Sequence, residues 1–315
     1  MRRMAPREFA AALPALSAIP VLPLYLSYLG GDMRAIGPKK PASAVELLMS
    51  VVRLEYRNVT MRFAQKGDRG ALTALRGVSF AVGDGEVVAL IGPSGCGKST
   101  LLNIGSGLSA PSEGTALVDG ERVAGANAQV AFMLQKDLLL PWRTVAENVM
   151  LGVEIQSLPA PERRQRAQKL LANFSLGEFA GHYPHQLSGG MRQRVALART
   201  LAVDPHVLLL DEPFSAVDAQ TRMVLQRDLA QTLSKARKTA LLITHDLLEA
   251  VTMSDRVLVM SGRPGTIIDE IAIELPARDD PIARRRDPKV NDYVARLMDR
   301  LDIGRVALDI QAASA

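Results

Sequence analysis

Short apolar runs alternate with stretches of helical spacing over most of this 315-residue chain. Seven segments have the composition of β-strands: residues 51–63, 78–82, 86–91, 207–210, 240–244, 256–260 and 265–269. The run at 86–91 is short and continuously apolar, which is typical of a strand buried on both faces. Residues 51–63 are rich in β-branched and aromatic residues, and residues 78–82 alternate in polarity, so both patterns also predict strands.

Helical spacing predicts four helices, at residues 99–104, 161–179, 189–201 and 288–301. The second of these carries many charges and indicates a helical insertion between the early and the late strands. Strands that alternate with helices are typical of a mostly parallel sheet covered on both faces, so we predict an α/β fold. The sequence contains no internal repeat, so one chain is expected to carry one copy of this domain.

The first fifty residues differ in pattern from the rest of the chain. Residues 10–29 are apolar and uncharged and lie behind three arginines, which resembles a signal peptide or a membrane anchor. Pro14, Pro20 and Pro23 interrupt this stretch, and proline would kink or break a helix that spanned a membrane. We therefore expect residues 1–50 to form a poorly ordered extension.

An upstream start codon would account for such an extension, with Met33 or Met49 as the real start. A weak anchor at the membrane surface is the alternative. The remaining chain is expected to divide into one main domain, residues 51–275, and a helical C-terminal tail, residues 276–315.

Composition narrows the class of protein without giving a function. Apolar residues make up 48% of the chain and charged residues 23%, as in ordinary soluble globular proteins. The net charge of +5 is uneven, because residues 1–50 hold six Lys or Arg against three Asp or Glu. The rest of the chain is nearly neutral, which argues against a nucleic-acid partner. Cys96 is the only cysteine, so a disulfide within the chain is excluded.

A phosphate-binding loop follows the apolar run at residues 86–91. Residues 92–99 read Gly-Pro-Ser-Gly-Cys-Gly-Lys-Ser and fit the pattern G-x-x-x-x-G-K-[ST] at every fixed position. The glycines let backbone N–H groups approach phosphate oxygens, and the following helix adds its N-terminal N–H groups. Lys98 is placed to reach the β- and γ-phosphates, and the Ser99 hydroxyl to bind Mg²⁺. The predicted nucleotide-binding residues of the loop are Gly92, Pro93, Ser94, Gly95, Cys96, Gly97, Lys98, Ser99 and Thr100.

Two carboxylates end the apolar run at residues 207–210. Open α/β sheets bind ligands at the carboxyl ends of their strands, where Asp211 and Glu212 are expected to lie. Asp211 fits the Mg²⁺-linked acidic role of phosphate-loop enzymes. Glu212 is placed to hold a water for attack on the γ-phosphorus as a general base. The pair carries this interpretation only together with the phosphate loop that precedes it.

Residues 187–194 read Leu-Ser-Gly-Gly-Met-Arg-Gln-Arg. With the loop and the acidic strand in this order, the chain resembles the ATPase subunits of ATP-binding cassette (ABC) transporters, from about residue 52 to about residue 275. Residues 187–194 resemble the signature sequence of this family, which has glutamine where this chain has Met191. The resemblance implies a phosphate-loop fold with a mostly parallel core, an N-terminal antiparallel β-subdomain and a helical subdomain. It also implies a head-to-tail homodimer, in which Ser188 and Gly190 of one subunit close on ATP held by the other.

The smaller motifs take their roles from the same resemblance. Gln135 resembles the residue that senses Mg²⁺ and the attacking water, and His245 resembles the switch histidine that contacts the γ-phosphate. Asp218 resembles the aspartate of a loop that crosses the dimer interface. Residues 138–145 follow Gln135, like the segment near which the membrane partner docks. The implied catalytic residues are therefore Lys98, Gln135, Glu212 and His245, and the implied metal-binding residues are Ser99, Gln135 and Asp211.

The adenine contact leaves two alternatives. Phe63 follows residues 58–60 at the family's spacing and is expected to stack on the base, with Tyr56 as its rival. Stacking tolerates different bases and different aromatic rings, so residue type alone does not decide between the two.

The resemblance implies an ATP-hydrolysing, Mg²⁺-dependent subunit that powers a bacterial ABC importer. Residues 139–142, 185–191 and 284–288 resemble the nitrate, sulfonate and taurine branch. The implied partners are transmembrane permease subunits and, indirectly, a periplasmic or lipoprotein solute-binding protein, with the ATPase peripheral on the cytoplasmic face of the inner membrane. Solute selectivity lies in those partners, so the solute is not encoded in this chain. The alternative is an ABC ATPase without a membrane partner.

Overall fold

The computed structural model of the protein describes residues 51–64, 71–215 and 217–302. The expected extension, residues 1–50, and residues 303–315 of the expected tail lie outside this range. The strands are β1 (Val52–Ala64), β2 (Ala71–Gly83), β3 (Val87–Ile91), β4 (Glu113–Val118), β5 (Glu121–Arg122), β6 (Val130–Met133), β7 (Val207–Asp211), β8 (Thr239–Ile243), β9 (Arg256–Met260) and β10 (Ile267–Ala272). The helices are α1 (Lys98–Gly105), α2 (Val145–Ile155), α3 (Ala160–Asn173), α4 (Gly189–Ala202), α5 (Ala219–Ala236), α6 (Leu247–Met253), α7 (Pro281–Arg284) and α8 (Lys289–Arg300).

The central sheet has six strands in the order β10-β9-β3-β8-β7-β6. All neighbouring strands run parallel except β9 and β10, which are antiparallel. Every residue of β3, β7 and β8 is buried, as their continuous apolar runs predict. The mostly parallel α/β core is thereby confirmed. Because β3 and β7 point the same way, the phosphate loop and the acidic pair emerge at the same edge of the sheet.

A second sheet of four strands has the order β2-β1-β4-β5 and is antiparallel throughout. Its apolar face packs on α1 and on β7, in a cluster that includes Leu54, Val78, Leu101 and Leu209. This is the predicted N-terminal antiparallel subdomain. Its third and fourth strands were not predicted, because β4 and β5 are short and half exposed.

Helices α2, α3 and α4 form the helical part of the domain around a common apolar cluster. The prediction of one helix over residues 161–179 is wrong at its end. Helix α3 stops at Asn173, Ser175 adopts a φ of 55°, and a short 3-10 turn follows at Gly177–Phe179. The left-handed residue ends the helix, although the charge pattern on either side of it continues.

The described part of the tail, residues 276–302, contains α7 and α8. Val290 and Leu297 of α8 are buried in one cluster with Ala250 of α6 and Val257 of β9. The tail therefore packs directly against the helix that follows β8. Among the residues that the structure describes, no helix is long and apolar enough to cross a membrane.

The last predicted strand is displaced along the chain. It was expected at residues 265–269, and β10 instead spans Ile267–Ala272. Gly265 is engaged elsewhere, because its N–H donates to Ala74 O (2.8 Å) and its carbonyl accepts from Arg76 N (3.0 Å). These two bonds join the residue to β2, so that the chain crosses beside the phosphate loop before β10 begins.

Candidate active site: a nucleotide site at the end of β3 and β7

The phosphate loop connects β3 to α1, as its sequence predicts. Lys98 is the first residue of α1 and is buried, and its Nζ donates to the carbonyls of Gly92 (2.8 Å) and Pro93 (3.0 Å). Pro93, Ser94, Gly95 and Ser99 are exposed, while Cys96 is buried beneath them. The backbone of the exposed loop residues is therefore accessible to a ligand, while the Lys98 ammonium group is hydrogen-bonded to carbonyls of the loop itself.

Two glycines of the loop are required by geometry. Gly97 adopts a φ of 107°, which strains any residue with a Cβ. A Cβ on Gly92 would lie 2.9 Å from the Cβ of Met260 in β9. Arg263 adds a support that no sequence signal indicated, since its Nε and Nη2 donate to Gly95 O at 3.1 and 2.9 Å. This arginine lies beyond β9 and reaches the loop only in the folded chain.

Asp211 and Ser99 are brought together by the ends of β7 and α1. Burial raises the pKa of Asp211, and a hydrogen bond from the Ser99 side chain partly opposes that rise. A hydroxyl and a carboxylate are ligands that Mg²⁺ accepts, and Mg²⁺ commonly takes one or two protein ligands and fills its other positions with water and phosphate. The described residues contain no group of three or more His, Cys, Asp or Glu side chains suited to a metal. The proximity of the Ser99 hydroxyl and the Asp211 carboxylate is what fits a nucleotide-linked Mg²⁺.

Glu212 lies where the chain turns sharply after β7. Its φ is 46°, a left-handed conformation that is uncommon for a residue with a side chain, and its N–H donates to Ile243 O of β8 (3.0 Å). Its Oε2 accepts from Gln135 Nε2 (3.0 Å) and lies 3.2 Å from His245 Nδ1. The structure thus brings two predicted catalytic residues, from two separate segments, onto one carboxylate oxygen of a third.

A pocket lies beside Glu212 and is bordered by residues 244–246, here called the switch loop. Its walls are Glu212, Phe214, Ser215, Arg222, Thr244, His245, Asp246 and Glu249. Glu249 is only 3% exposed and was not predicted as part of the site. Neither was Gln193 of α4, whose Nε2 donates to the carbonyl of Pro213, directly after Glu212 (2.9 Å). Both side chains are polar positions within apolar helical patterns, which is the only signal the sequence offers for them.

Burial raises the pKa of Glu249 to about 7 from 4.5, against hydrogen bonds from Thr244 and Gln226. The folded protein therefore binds a proton that the unfolded chain releases between these values, so stability falls as pH rises from about 4.5 to about 7. Glu249→Gln cannot titrate. We expect the melting temperature of this variant, relative to the unchanged protein, to rise between pH 5 and pH 8. Two parallel profiles of melting temperature against pH would contradict this.

The residues predicted to face a second subunit lie at two neighbouring helix N-termini. Ser188 caps α4 and accepts from Met191 N (3.3 Å), and Asp218 caps α5 and accepts from Gln220 N and Thr221 N at 3.1 and 3.0 Å. A Cβ on Gly190 would lie 2.7 Å from Thr221 Cγ2, so the glycine lets α4 approach α5 closely.

Ser188 and Asp218 are exposed. Among the hydrogen bonds of the described residues, none joins either residue to the phosphate loop. The structure therefore groups Lys98, Gln135, Glu212 and His245 around one edge of the sheet and presents the signature residues separately, at the surface.

The two aromatic candidates for the adenine contact differ in burial. Tyr56 is 1% exposed, packs on Phe80 with ring centroids 4.7 Å apart, and donates its hydroxyl to Leu101 O (2.8 Å). It is a core residue and is excluded as the rival. Phe63 lies at the end of β1 and is 43% exposed. The stacking role of Phe63 stays a prediction.

A phosphate loop with a buried lysine, an acidic pair at the end of β7 and a separately capped signature helix, α4, define a phosphate-loop ATPase of the ATP-binding cassette class. The family model described as ABC transporter matches residues 75–215. An aliphatic sulfonates import ATP-binding protein of Xanthomonas axonopodis is 49% identical over 212 residues, covering 67% of this chain and 84% of that protein.

Two further relatives have names of the same kind. A nitrate import ATP-binding protein of Synechocystis is 43% identical over 240 residues, covering 74% of this chain and 90% of that protein. A taurine import ATP-binding protein of Burkholderia pseudomallei is 40% identical over 255 residues, covering 80% of this chain and 97% of that protein. The chain belongs to the ABC transporter family, in the branch that contains these ATP-binding proteins.

A solved structure supports the same assignment. A dimeric ATP-binding cassette in a post-hydrolysis state, bound to ADP and Pi, matches with a TM-score of 0.63 and 33% identity, covering 70% of this chain and 98% of that one. The chain is an ATP-binding ATPase of this fold. The predicted class of protein, its fold and its enzymatic activity are confirmed.

Proposed function

We propose that the chain is the nucleotide-binding subunit of a bacterial ABC importer for nitrate, sulfonate, taurine or a related small solute. The observation that carries the proposal is the convergence of Gln135 and His245 on one oxygen of Glu212. Two copies are proposed to bind ATP head to tail on the cytoplasmic face of the inner membrane. Each copy would contribute Ser188, Gly190 and Asp218 to the nucleotide held by the other.

In this proposal Glu212 is the general base and His245 contacts the γ-phosphate. The Glu212 carboxylate takes the proton of the attacking water, while Gln135 and His245 hold that carboxylate in place. Lys98 leaves the loop carbonyls for the β- and γ-phosphates. Mg²⁺, held by Ser99, Asp211 and Gln135, would neutralise charge on the phosphate oxygens. Phe63 is proposed to stack on the adenine, as an exposed ring at the end of its strand.

Closure of the dimer on ATP and its opening after hydrolysis would supply the two states that move a permease. The proposed domain is residues 51–275. The solute-binding protein would contact the permease and not this chain, so it is an indirect partner, and nitrate, sulfonate and taurine stay open as solutes. Uptake of each of these three solutes by a strain lacking this gene tests which one depends on it.

An exposed apolar segment favours a permease partner over the alternative of an ATPase without one. Trp142 is 71% exposed and Leu138 is 54% exposed, both on the loop that follows Gln135. Soluble monomers rarely group large apolar side chains on one exposed segment without a binding partner.

Two arginines of α4 hold this segment to the helix that carries the signature. Arg192 donates to Asp137 Oδ2 (3.1 Å) and to Leu187 O (2.9 Å). Arg199 donates to Leu138 O (2.8 Å) and to Asp137 O (2.5 Å). A displacement of the segment by a docked permease would therefore be transmitted directly to Ser188, which follows Leu187.

We expect Trp142→Ala to abolish recovery of a multi-span permease from solubilised membranes and to leave the ATPase activity of the isolated subunit within about twofold. Truncation of an aromatic side chain that a partner buries at a binding hot spot costs about 2 kcal/mol or more of binding energy. Copurification identified by mass spectrometry is the measurement. Leu108→Ala, at a residue that is 64% exposed on the loop before β4, is the matched control. Equal permease recovery by both variants would contradict the docking role.

A further inference from the structure

The C-terminal tail is anchored to α6 by a buried arginine. Arg284 is 2% exposed and donates to the carbonyls of Thr252 (3.3 Å), Ser254 (2.8 Å), Leu275 (3.1 Å) and Pro276 (3.0 Å). The first two carbonyls lie at the C-terminal end of α6, where helices leave acceptors unsatisfied and favour a cation. The tail therefore holds one end of a helix whose other end begins two residues after His245, behind the N-cap Asp246.

The next residue of the tail reaches inward to α5. Arg285 Nη2 donates to Gln226 Oε1 (2.9 Å), and Gln226 Nε2 donates in turn to Glu249 Oε2 (3.0 Å). Gln226 is 1% exposed, so it depends on these two partners. A guanidinium is only a donor and an amide has a donor end and an acceptor end. Arg285 thereby fixes the orientation of the amide, which must present its N–H group to Glu249.

Glu249 links Gln226 to the switch loop. Its carboxylate and the Thr244 side chain line the same pocket and interact, and Thr244 Oγ1 accepts from Asp246 N (3.0 Å). The N–H of Glu249 donates to Asp246 Oδ1 (3.0 Å). Thr244 and Asp246 flank His245, whose exposed ring meets only the carboxylate of Glu212 among the ion pairs of the described chain. These bonds therefore fix the backbone on both sides of His245, from which its ring reaches Glu212.

We propose that Arg285, Gln226 and Glu249 are positioning residues, through which the C-terminal tail holds the His245 loop in its working geometry and sets the rate of ATP hydrolysis. The proposal rests on the roles proposed above for Glu212 and His245. Loss of Arg285 leaves the buried Gln226 oxygen without its hydrogen-bond donor and allows the side-chain amide of Gln226 to flip. Glu249 and Thr244 then lose their fixed orientation, and a small displacement of a catalytic group costs much rate.

The test uses the full chain and two adjacent tail residues. We expect Arg285→Ala to lower kcat for ATP hydrolysis about tenfold, because a hydrogen bond to a charged group is lost, and to change KM for ATP less than about twofold. Its melting temperature should fall by less than about 4 °C, so the protein stays folded in the assay at 25 °C. Arg286→Ala, at an exposed position, is the matched control and should keep its kcat.

A double-mutant cycle shows whether Arg285 and Gln226 affect kcat through the same series of hydrogen bonds or independently of each other. Gln226→Met keeps the volume of the side chain and removes both polar groups, so it interrupts the connection at its centre. Combined with Arg285→Ala, it should be no slower than the slower single variant. Multiplicative losses would overturn the proposal, and so would a kcat of Arg285→Ala equal to that of Arg286→Ala, or a rise in KM with kcat unchanged.

The positioning role of the tail and the catalytic role of Glu212 are tested by separate variants. Glu212→Gln tests the catalytic base without involving the tail. Loss of turnover in Glu212→Gln together with an unchanged kcat in Arg285→Ala would support the catalytic role of Glu212 and reject only the positioning role of the tail. Full turnover in Glu212→Gln would remove the base on which both proposals depend.

Discussion

Glu212→Gln is expected to lower ATP turnover by about a hundredfold or more, because a positioned general base contributes about 10² to 10⁴ in rate. The amide keeps the shape of the side chain and accepts no proton from water. Gln135 and His245 lose the charge on which they converge, while the phosphate loop is untouched. ATP should therefore still bind, and two copies should stay closed on it.

The measurements are steady-state hydrolysis and size-exclusion chromatography with saturating MgATP. Glu121→Gln, at an exposed position of β5, is the matched control for removing one negative charge. Undiminished turnover would remove Glu212 from the base role. A variant that fails to hydrolyse and yet stays monomeric with MgATP would instead contradict the head-to-tail dimer.

Lys98→Ala is expected to weaken ATP binding about 10- to 150-fold, since a hydrogen bond to a charged group is worth about 1.5–3 kcal/mol. Its ammonium group is the one that lies inside the loop, within 3.0 Å of two backbone carbonyls. Those carbonyls are poor partners compared with phosphate oxygens, because they carry only partial charge. Hydrolysis should fall further than binding, as charge develops on the same oxygens.

Isothermal calorimetry with MgATP measures the affinity directly. Lys169→Ala, which removes an exposed lysine of α3, is the matched control for net charge. Equal affinity in the two variants would show that the ammonium group does not reach the phosphates. A fall in the melting temperature of Lys98→Ala alone would report the lost bonds to Gly92 and Pro93.

The parts of the site that the sequence predicted are those set by short stretches of chain. A buried strand, a glycine-rich turn and a helix follow one another within residues 86–105, so their motif fixes the position of Lys98. Asp211 and Glu212 lie at the end of β7 as the sequence predicts, because a continuously apolar run must end at the edge of the sheet. The burial of Tyr56 results from its packing against α1, so the sequence alone does not decide between Tyr56 and Phe63.

The parts that were missed depend on contacts between distant segments. Arg263 meets Gly95 across 168 positions of sequence, and Arg285 meets Gln226 across 59. The left-handed turn at Glu212 is likewise imposed by its bond to β8. No local propensity indicates such contacts, because they exist only once the sheet has assembled.

Gln193 gives the N-terminal half of α4 two roles. The first turn of this helix is proposed to meet ATP held by the other copy, while Gln193, one turn further along, donates to the Pro213 carbonyl directly after this copy's proposed catalytic base. Nucleotide arriving at one half of the dimer would thus stiffen the opposite half, and the two reaction centres would work cooperatively instead of as independent units.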